Sequence, residues 1–506
     1  MKIQTLSLTD FRAFPGPAPT TFELEGKNLL VYGENGSGKS SLFHALRGFF
    51  SPAPPPDLRS LKNSFSKASL EHLAVNVVFD DGTFERWGMA LQAPRRSTAG
   101  EMVGPFIEHL HPVHRASGQS TAVRSAARMA SCLDYRSLLA TNYKNDDGPV
   151  NLFEPVVSAL LADYFDLGAN KTIAQLWKLV QESVPTRNTG RQIGICLQAC
   201  TTFNTALRTA LSRLLIDLNQ LLPKLSASGV QVEGFDFPGV TYLGQITDLK
   251  MLGTKQIGLK LNYRGVPLDR PQNYLNEARL SALGLALYLA GRLACAPRAT
   301  PHLKLLVLDD VLVGLDHSNR MPVLNVLKDY FSEWQIVLLT HDRGWFDLAR
   351  QHLPSGWTCY EVYEGDQGAT APIPIVRKTL KRPAPALLQK ARELLAQGYV
   401  EAAANYVRQA FETGLRAACE LKSIKLPYKQ DLTDHKAQDL LNGLKTWSGS
   451  LSVPKANWDA ALQQLELMKD VVMNPYSHPS APNIPRQEVV DAADAVDAFL
   501  TLARTR

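Results

Sequence analysis

The sequence predicts an α/β fold followed by an all-α C-terminal domain, and three observations carry that expectation. A glycine-rich loop, Gly33 to Ser40, lies between a strand-like run and a helix-like run. Leu303 to Leu308 is apolar apart from Lys304 and ends in Asp309-Asp310, the pattern of a strand buried on both faces of a parallel sheet. Beyond Pro385 the composition turns alanine-rich with helical periodicity.

Taken in order, Ile3 to Leu8 and Asn28 to Tyr32 read as strands around a loop rich in Pro and Gly. A helix from Lys39 to about Phe50 places Leu42, Ala45, Leu46 and Phe49 on one face, and the prolines from Pro52 to Pro56 close it. Leu73 to Phe79 and Thr83 to Met89 read as strands joined by Asp81-Gly82, a hairpin cue. From about Ser125 to Leu225 the apolar residues recur at three- and four-residue steps, as in Leu207, Leu211, Leu214 and Leu218. That predicts a compact helical lobe, because a long coiled coil needs sustained heptads. Strands resume at Val230 to Phe237 and Ile257 to Tyr263, followed by a helix from Glu277 to Ala294. Ile336 to Leu339 and Thr358 to Val362 read as further strands, and Gly365 to Pro385 as a linker. Leu387 to Arg506 is almost entirely helical, with Ala403, Val407, Ala410 and Phe411 on one apolar face. The expected boundaries are 1–124 and 227–365 for the two lobes of the α/β domain. The expected helical insertion is 125–226, the linker 366–385 and the helical domain 386–506.

Composition narrows the class. At about 150 residues per domain, 506 residues suggest two to four domains. With 45% apolar and 20% charged residues the chain is neither a fibre nor disordered. A net charge of +6 permits nucleic-acid contact without requiring it. The six cysteines form no CxxC pair, so reduced thiols in the cytoplasm are the simple reading. Cys196 and Cys200 lie one helical turn apart without further metal ligands and read as core thiols. The stretch MKIQTLSLTDFRAF has no apolar signal core. Ser281 to Ala296 is too short to span a bilayer and contains Arg292, so no membrane association is expected.

Gly33-Glu34-Asn35-Gly36-Ser37-Gly38-Lys39-Ser40 fits GxxxxGK[ST] in the strand–loop–helix context that motif needs. Gly36 and Gly38 let the backbone pass close to phosphates, so that N–H groups and the helix N-terminus face the anion, with Asn35, Ser37 and Ser41 flanking it. Lys39 reaches the terminal phosphates of ATP, and the Ser40 hydroxyl ligates Mg²⁺. Asp309, at the end of its strand, is the second expected Mg²⁺ ligand. Asp310 stands where a general base for an attacking water belongs. His341, in Thr340-His341-Asp342 at a later strand end, is expected to contact the γ-phosphate.

This order of motifs resembles the ABC ATPase heads of the SMC, RecF and OLD-like group. The opening "LSLTDFRAF" followed by "VYGENGSGKSSL" is similar to that group's N-terminus. "YLNEARLSALGLALYLA", "LDDVLVGLDHSNR" and "LLTHDRGWF" resemble a narrower branch, the ATPases of bacterial antiphage systems such as Septu and certain retrons, and of anticodon nucleases. The resemblance covers about residues 1 to 365. It implies an ABC-type P-loop ATPase head with roles for Arg12 and Asp316 near the nucleotide, although an exposed Arg after a strand is an equal reading of Arg12. It also implies a nucleotide held between two heads, with Lys39, Asp309 and His341 from one chain and Asn276 and Glu277 from another. The signature Ser of the group is replaced by Asn276, and the usual Glu by the shorter Asp310. Slow hydrolysis is expected from both changes.

The C-terminal helices resemble a HEPN domain. HEPN nucleases carry Arg-x4-6-His, and here Asn474 and His478 match while Met473 stands at the Arg position. Met offers a phosphate no donor. The remnant reads as structural, as a partner-binding feature or as a nuclease helped by Lys469. Three functions follow. The first is an ATP-driven sensor or scaffold of an antiphage complex, controlling a separate effector nuclease or toxin. The others are a self-contained ribonuclease gated by the head and a DNA-repair ATPase. The missing Arg favours the first over the ribonuclease. The lack of a long coiled coil disfavours repair.

Overall fold

Leu29 to Val31, Leu305 to Leu308 and Ile336 to Leu339 are apolar without a break because both faces of their sheet are covered. In the computed structural model the central sheet has six strands, ordered Pro372–Thr379, Trp357–Asp366, Asn28–Gly33, Gln335–Thr340, Leu305–Asp309 and Ala130–Asp134. The last five run parallel. Successive side chains on a strand point to opposite faces, and the two faces serve different cores. Leu29, Val31, Leu305, Val307, Val337 and Leu339 pack with the helix Lys39–Phe49. Leu30, Leu306, Leu308, Ile336 and Leu338 pack with the helical lobe.

The structure describes residues 1–51, 57–92, 95–96, 102–103, 106–113, 123, 130–134, 150–187, 189–225, 229–245, 250–268, 270–296, 303–315, 317–354, 356–366, 372–379, 383–426, 436–451, 455–473 and 485–504. They fall into two compact units, Met1–Lys378 and Thr379–Arg506.

In the first unit an antiparallel sheet, ordered Thr20–Glu23, Ile3–Thr9, Ala74–Phe79, Phe84–Gln92 and Phe106–Leu110, shares a core with the helix Lys39–Phe49. The expected Asp81-Gly82 turn is present. Gly82 takes φ 82°, and the Asp81 carboxylate accepts the Thr83 N–H at 2.9 Å. The helical lobe holds Ile173–Glu182 and the 32-residue helix Gly190–Leu221. The helix Glu277–Cys295 is apolar on every side because it is buried in the core. Among the described residues it is the one helix long and apolar enough to cross a membrane. Its Arg292 donates to the Ala159 carbonyl at 2.5 Å and the Leu160 carbonyl at 2.6 Å, which satisfies a buried charge.

Two expectations are corrected. Ala130–Asp134, inside the stretch expected to be helical, is a strand at one edge of the central sheet. Its partner is 175 residues away in sequence, since Leu305 pairs with Ala130, so its local sequence gives little sign of it. Pro372–Thr379, inside the expected linker, is the strand at the other edge. An edge position tolerates Pro372 and Pro374, which lack N–H donors.

The second unit contains the helices Ala384–Ala396, Val400–Leu421, Ala437–Gly449, Lys455–Met468 and Arg486–Arg504 around one core. Gly398, at φ 86°, makes the sharp turn between the first two.

Candidate nucleotide site

The phosphate loop leaves the central sheet at Gly33 and returns to helix at Lys39. A Cβ on Gly33 would lie 2.4 Å from Ser37 Oγ and 3.0 Å from the Val362 carbonyl, so only glycine fits. Gly36 and Gly38 sit at φ 86° and 107°, which glycine adopts without penalty. Gly38 is the N-cap of the helix Lys39–Phe49, so the loop ends on a helix N-terminus. Asn35, Gly36 and Ser40 are exposed, whereas Ser37, Lys39 and Ser41 are buried. The Lys39 ammonium folds back onto the Gly33 carbonyl at 2.6 Å and the Glu34 carbonyl at 3.2 Å. Burial lowers its pKa, and the charges of Asp310 and Asp309 oppose that shift.

Register explains how motifs thirty residues apart meet. Asp309 pairs with Leu339 on the neighbouring strand, so Asp310 and His341 emerge together at the same sheet edge. Asp310 takes φ 52°, and its N–H bonds the Leu339 carbonyl at 3.1 Å. One oxygen of its carboxylate accepts both the His341 N–H and the His341 Nδ1–H, each at 2.9 Å. That contact places the proton of a neutral His341 on Nδ1 and leaves Nε2 as an acceptor, so His341 offers a phosphate a second donor only when protonated.

Asp309 is only 8% exposed, and its Oδ1 has no hydrogen-bond partner. Burial first, then the Asp310 charge, push its carboxyl up to about 7. Asp134 adds to that push and lies beside Asp309 in register on the edge strand. Unpartnered buried acid beside two further carboxylates is an environment that a divalent cation relieves. Ser37 Oγ is also buried without a partner. These residues fit Mg²⁺ and a polyphosphate. Among the described residues no cluster of three or more His, Cys, Asp or Glu forms a metal cage. Oxygens from the phosphates would complete the coordination of Ser40 and Asp309.

Beside the loop lies a cavity of about 380 Å³, lined by Arg12, Gly36, Ser41, Asn63, Phe65 and Glu364 among others. The backbone of Arg12, at φ 51°, is pinned to the opposite wall. Its N–H bonds the Leu61 carbonyl at 2.7 Å, and its carbonyl accepts Asn63 Nδ2–H at 2.6 Å. Phe65 is 60% exposed on that wall. Ser41 Oγ accepts the Ala13 N–H at 3.3 Å, which ties the Arg12 loop to the phosphate-loop helix.

Asn276 is the N-cap of the buried helix Glu277–Cys295. Its Oδ1 accepts the Arg279 N–H at 3.0 Å, so only its amide N–H₂ is free to reach outward. Glu277 is exposed in the first turn. Asp316, Asn474 and His478 lie outside the described residues. Asp134, Phe65 and Glu364 belong to no motif, and sequence reasoning did not single them out. Asp134 was hidden inside the stretch read as helical, and Phe65 and Glu364 reach the cavity only through the tertiary fold.

Residues 5–83 match a family model described as an AAA domain, a stretch that contains the phosphate loop. No curated protein matches the chain. Among solved structures, the recombination mediator protein RecF bound to ATP, of the RecFOR pathway, is similar at 15% identity, over 75% of this chain and 98% of that one, with a TM-score of 0.42. An SMC head domain with an extended coiled coil, derived from Pyrococcus furiosus and bound to the C-terminal domain of ScpA, gives 12%, 77%, 99% and 0.40 in the same order. The SMC head domain from Thermotoga maritima gives 16%, 75%, 100% and 0.34.

Proposed function

We propose that this chain is an ATP-hydrolysing head of the ABC/SMC type. In this reading it is a cytoplasmic, nucleotide-controlled sensor or scaffold of a bacterial antiphage complex, and it regulates a partner effector nuclease or toxin. One observation carries the nucleotide part. Lys39, Asp309 and the Asp310–His341 pair cluster where the parallel strands end, with the charges of Asp309 and Asp310 acting on Lys39.

In this reading the loop N–H groups and the helix N-terminus bind the polyphosphate. Lys39 exchanges its bonds to the Gly33 and Glu34 carbonyls for phosphate oxygens. Ser40 and Asp309 would hold Mg²⁺, which supplies charge neutralisation when bound. Asp310 orients the attacking water with the oxygen that His341 does not occupy. A base with one engaged oxygen and a short side chain supports slow turnover. The cavity between Arg12, Phe65 and Glu364 takes the nucleoside end, with Phe65 as a stacking face.

The exposed Asn276 amide and Glu277 complete the site of a second chain in a head-to-head dimer. Nucleotide that binds the associated form stabilises it by mass action, and hydrolysis releases it. The helical C-terminal unit, read as a HEPN-like fold, serves partner docking, since the buried Met473 gives a scissile phosphate no donor. Support for the defence role is the sequence resemblance to antiphage ATPases. Analytical ultracentrifugation tests the switch. Asp310→Ala with saturating Mg²⁺-ATP should sediment as a dimer and Lys39→Ala as a monomer, whereas a monomer in both contradicts the reading.

A further inference from the structure

The strand Trp357–Asp366 runs parallel to Asn28–Gly33 and continues past its end. Val362 pairs with Gly33, where the phosphate loop leaves the sheet, so the last residues of the longer strand stand beside the loop. Alternation along the strand puts Glu364 on the same face as Val362. That is the face of the phosphate-loop helix, because Val362 shares its core. Both neighbours hold Glu364 in that direction. Tyr363 packs on the opposite face, against the core of the helical lobe. A Cβ on the buried Gly365 would lie 2.6 Å from the Ile373 carbonyl, so the edge strand closes on the chain at that point. The carboxylate therefore lies over the loop, with Glu364 Oε2 3.2 Å from the point that a Cβ on Gly36 would occupy.

Glu364 is exposed and lines the cavity beside the loop. Among the described residues its carboxylate accepts no hydrogen bond and joins no ion pair. Other polar groups on the cavity wall are engaged. Lys62 pairs with the buried Asp10 at 3.0 Å and donates to the Ser66 carbonyl at 2.7 Å. Asn63 donates to the Arg12 carbonyl at 2.6 Å, and its Oδ1 accepts the Phe65 N–H at 2.9 Å. A carboxylate this near the loop repels a polyphosphate bound there. The repulsion is offset when the guest places hydrogen-bond donors against the carboxylate. Phe65 and Arg12 stand on the opposite wall, so the part of a nucleotide that falls between the loop and the stacked base is the sugar. A ribose carries two adjacent hydroxyl donors, and an ionised carboxylate accepts with two oxygens. Acidic residues hold ribose in this way in dinucleotide folds. A 2′-deoxyribose offers one donor fewer.

We infer that Glu364 reads the sugar. Its carboxylate accepts the 2′- and 3′-hydroxyls, and this makes the site selective for ribonucleotides over deoxyribonucleotides. The inference rests on the reading of the head as a nucleotide site, and it adds the substrate class and the residue that sets it.

Isothermal titration of the full-length chain tests it, with ADP, which has no γ-phosphate to hydrolyse, 2′-deoxy-ADP and pyrophosphate as probes. The wild type should bind ADP at least about tenfold more tightly than 2′-deoxy-ADP, the loss expected from one charge-assisted hydrogen bond. Glu364→Ala, an exposed substitution, should weaken ADP to the level of 2′-deoxy-ADP and leave pyrophosphate binding no weaker. Unchanged circular dichroism confirms that the fold is kept. Equal binding of ADP and 2′-deoxy-ADP by the wild type overturns the inference and leaves the nucleotide site standing. A preference for ADP that persists in Glu364→Ala does the same. A preference for ADP over UDP that Glu364→Ala abolishes, with ADP and its 2′-deoxy form bound alike, also overturns it and assigns the carboxylate to the base. Failure of the wild type to bind either ADP or pyrophosphate overturns the reading of the head, and this inference with it.

Discussion

Replacing Asp309 by Asn should stabilise the nucleotide-free protein, and the gain should grow with pH. The native carboxyl, at about 7 against an ordinary value of 3.8, holds its proton more tightly than the unfolded chain does. Between those two values the unfolded state therefore binds fewer protons than the native state, and stability falls as pH rises through the window. About three powers of ten in proton affinity, at 1.36 kcal/mol each, amount to roughly 4 kcal/mol lost in full only above pH 7. At pH 5 roughly 1.5–2 kcal/mol of that loss is already present, so about 2–3 kcal/mol separates pH 5 from pH 8. Asn does not titrate, and whatever its buried amide costs is nearly the same at both values. The observable is thus the difference between variant and wild type, measured by urea unfolding in EDTA at pH 5 and pH 8. A gain that is constant, or that shrinks toward pH 8, would refute the claim that Asp309 is an electrostatically strained acid awaiting a cation.

Gly38→Ala forces a non-glycine residue to φ 107° and brings a Cβ to 3.3 Å from Ala13 and Phe14. It should cost about 1–3 kcal/mol in thermal unfolding and remove ATP binding, as measured by calorimetry. His341→Gln should leave ATP affinity within a few-fold but lower steady-state turnover by about ten- to a hundredfold, and equal losses in both would reassign His341 to ground-state binding. Phe65→Ala should weaken ATP by about tenfold while pyrophosphate binding stays unchanged, because in the proposed reading the ring, which lines the cavity beside the loop, stacks on the nucleoside and the loop alone holds the phosphates. Asn474→Ala with His478→Ala should leave phage protection intact in a plaque assay, and its loss would revive the ribonuclease reading.

The parallel core was legible because burial on both faces leaves an unbroken apolar run, as in Leu305 to Leu308. The phosphate loop was legible because its glycines, lysine and serine act through local geometry, and the structure supplies that geometry at Gly33, Gly36 and Gly38. Edge strands were not legible. Ala130–Asp134 is short and pairs far away in sequence, and Pro372–Thr379 carries prolines that imitate a linker. The Asp310–His341 bond lay between two motifs that the sequence shows separately, and strand register is what joins them. Asn276 illustrates the opposite limit. Its sequence position suggested a nucleotide contact, and its carbonyl oxygen proves to cap the helix that carries it.

ATP turnover by the purified full-length chain, wild type against Lys39→Ala, tests the central claim most directly. The account predicts slow, Mg²⁺-dependent hydrolysis in the wild type and none above background in the variant, together with loss of ATP binding. Turnover that survives the removal of Lys39 would contradict it.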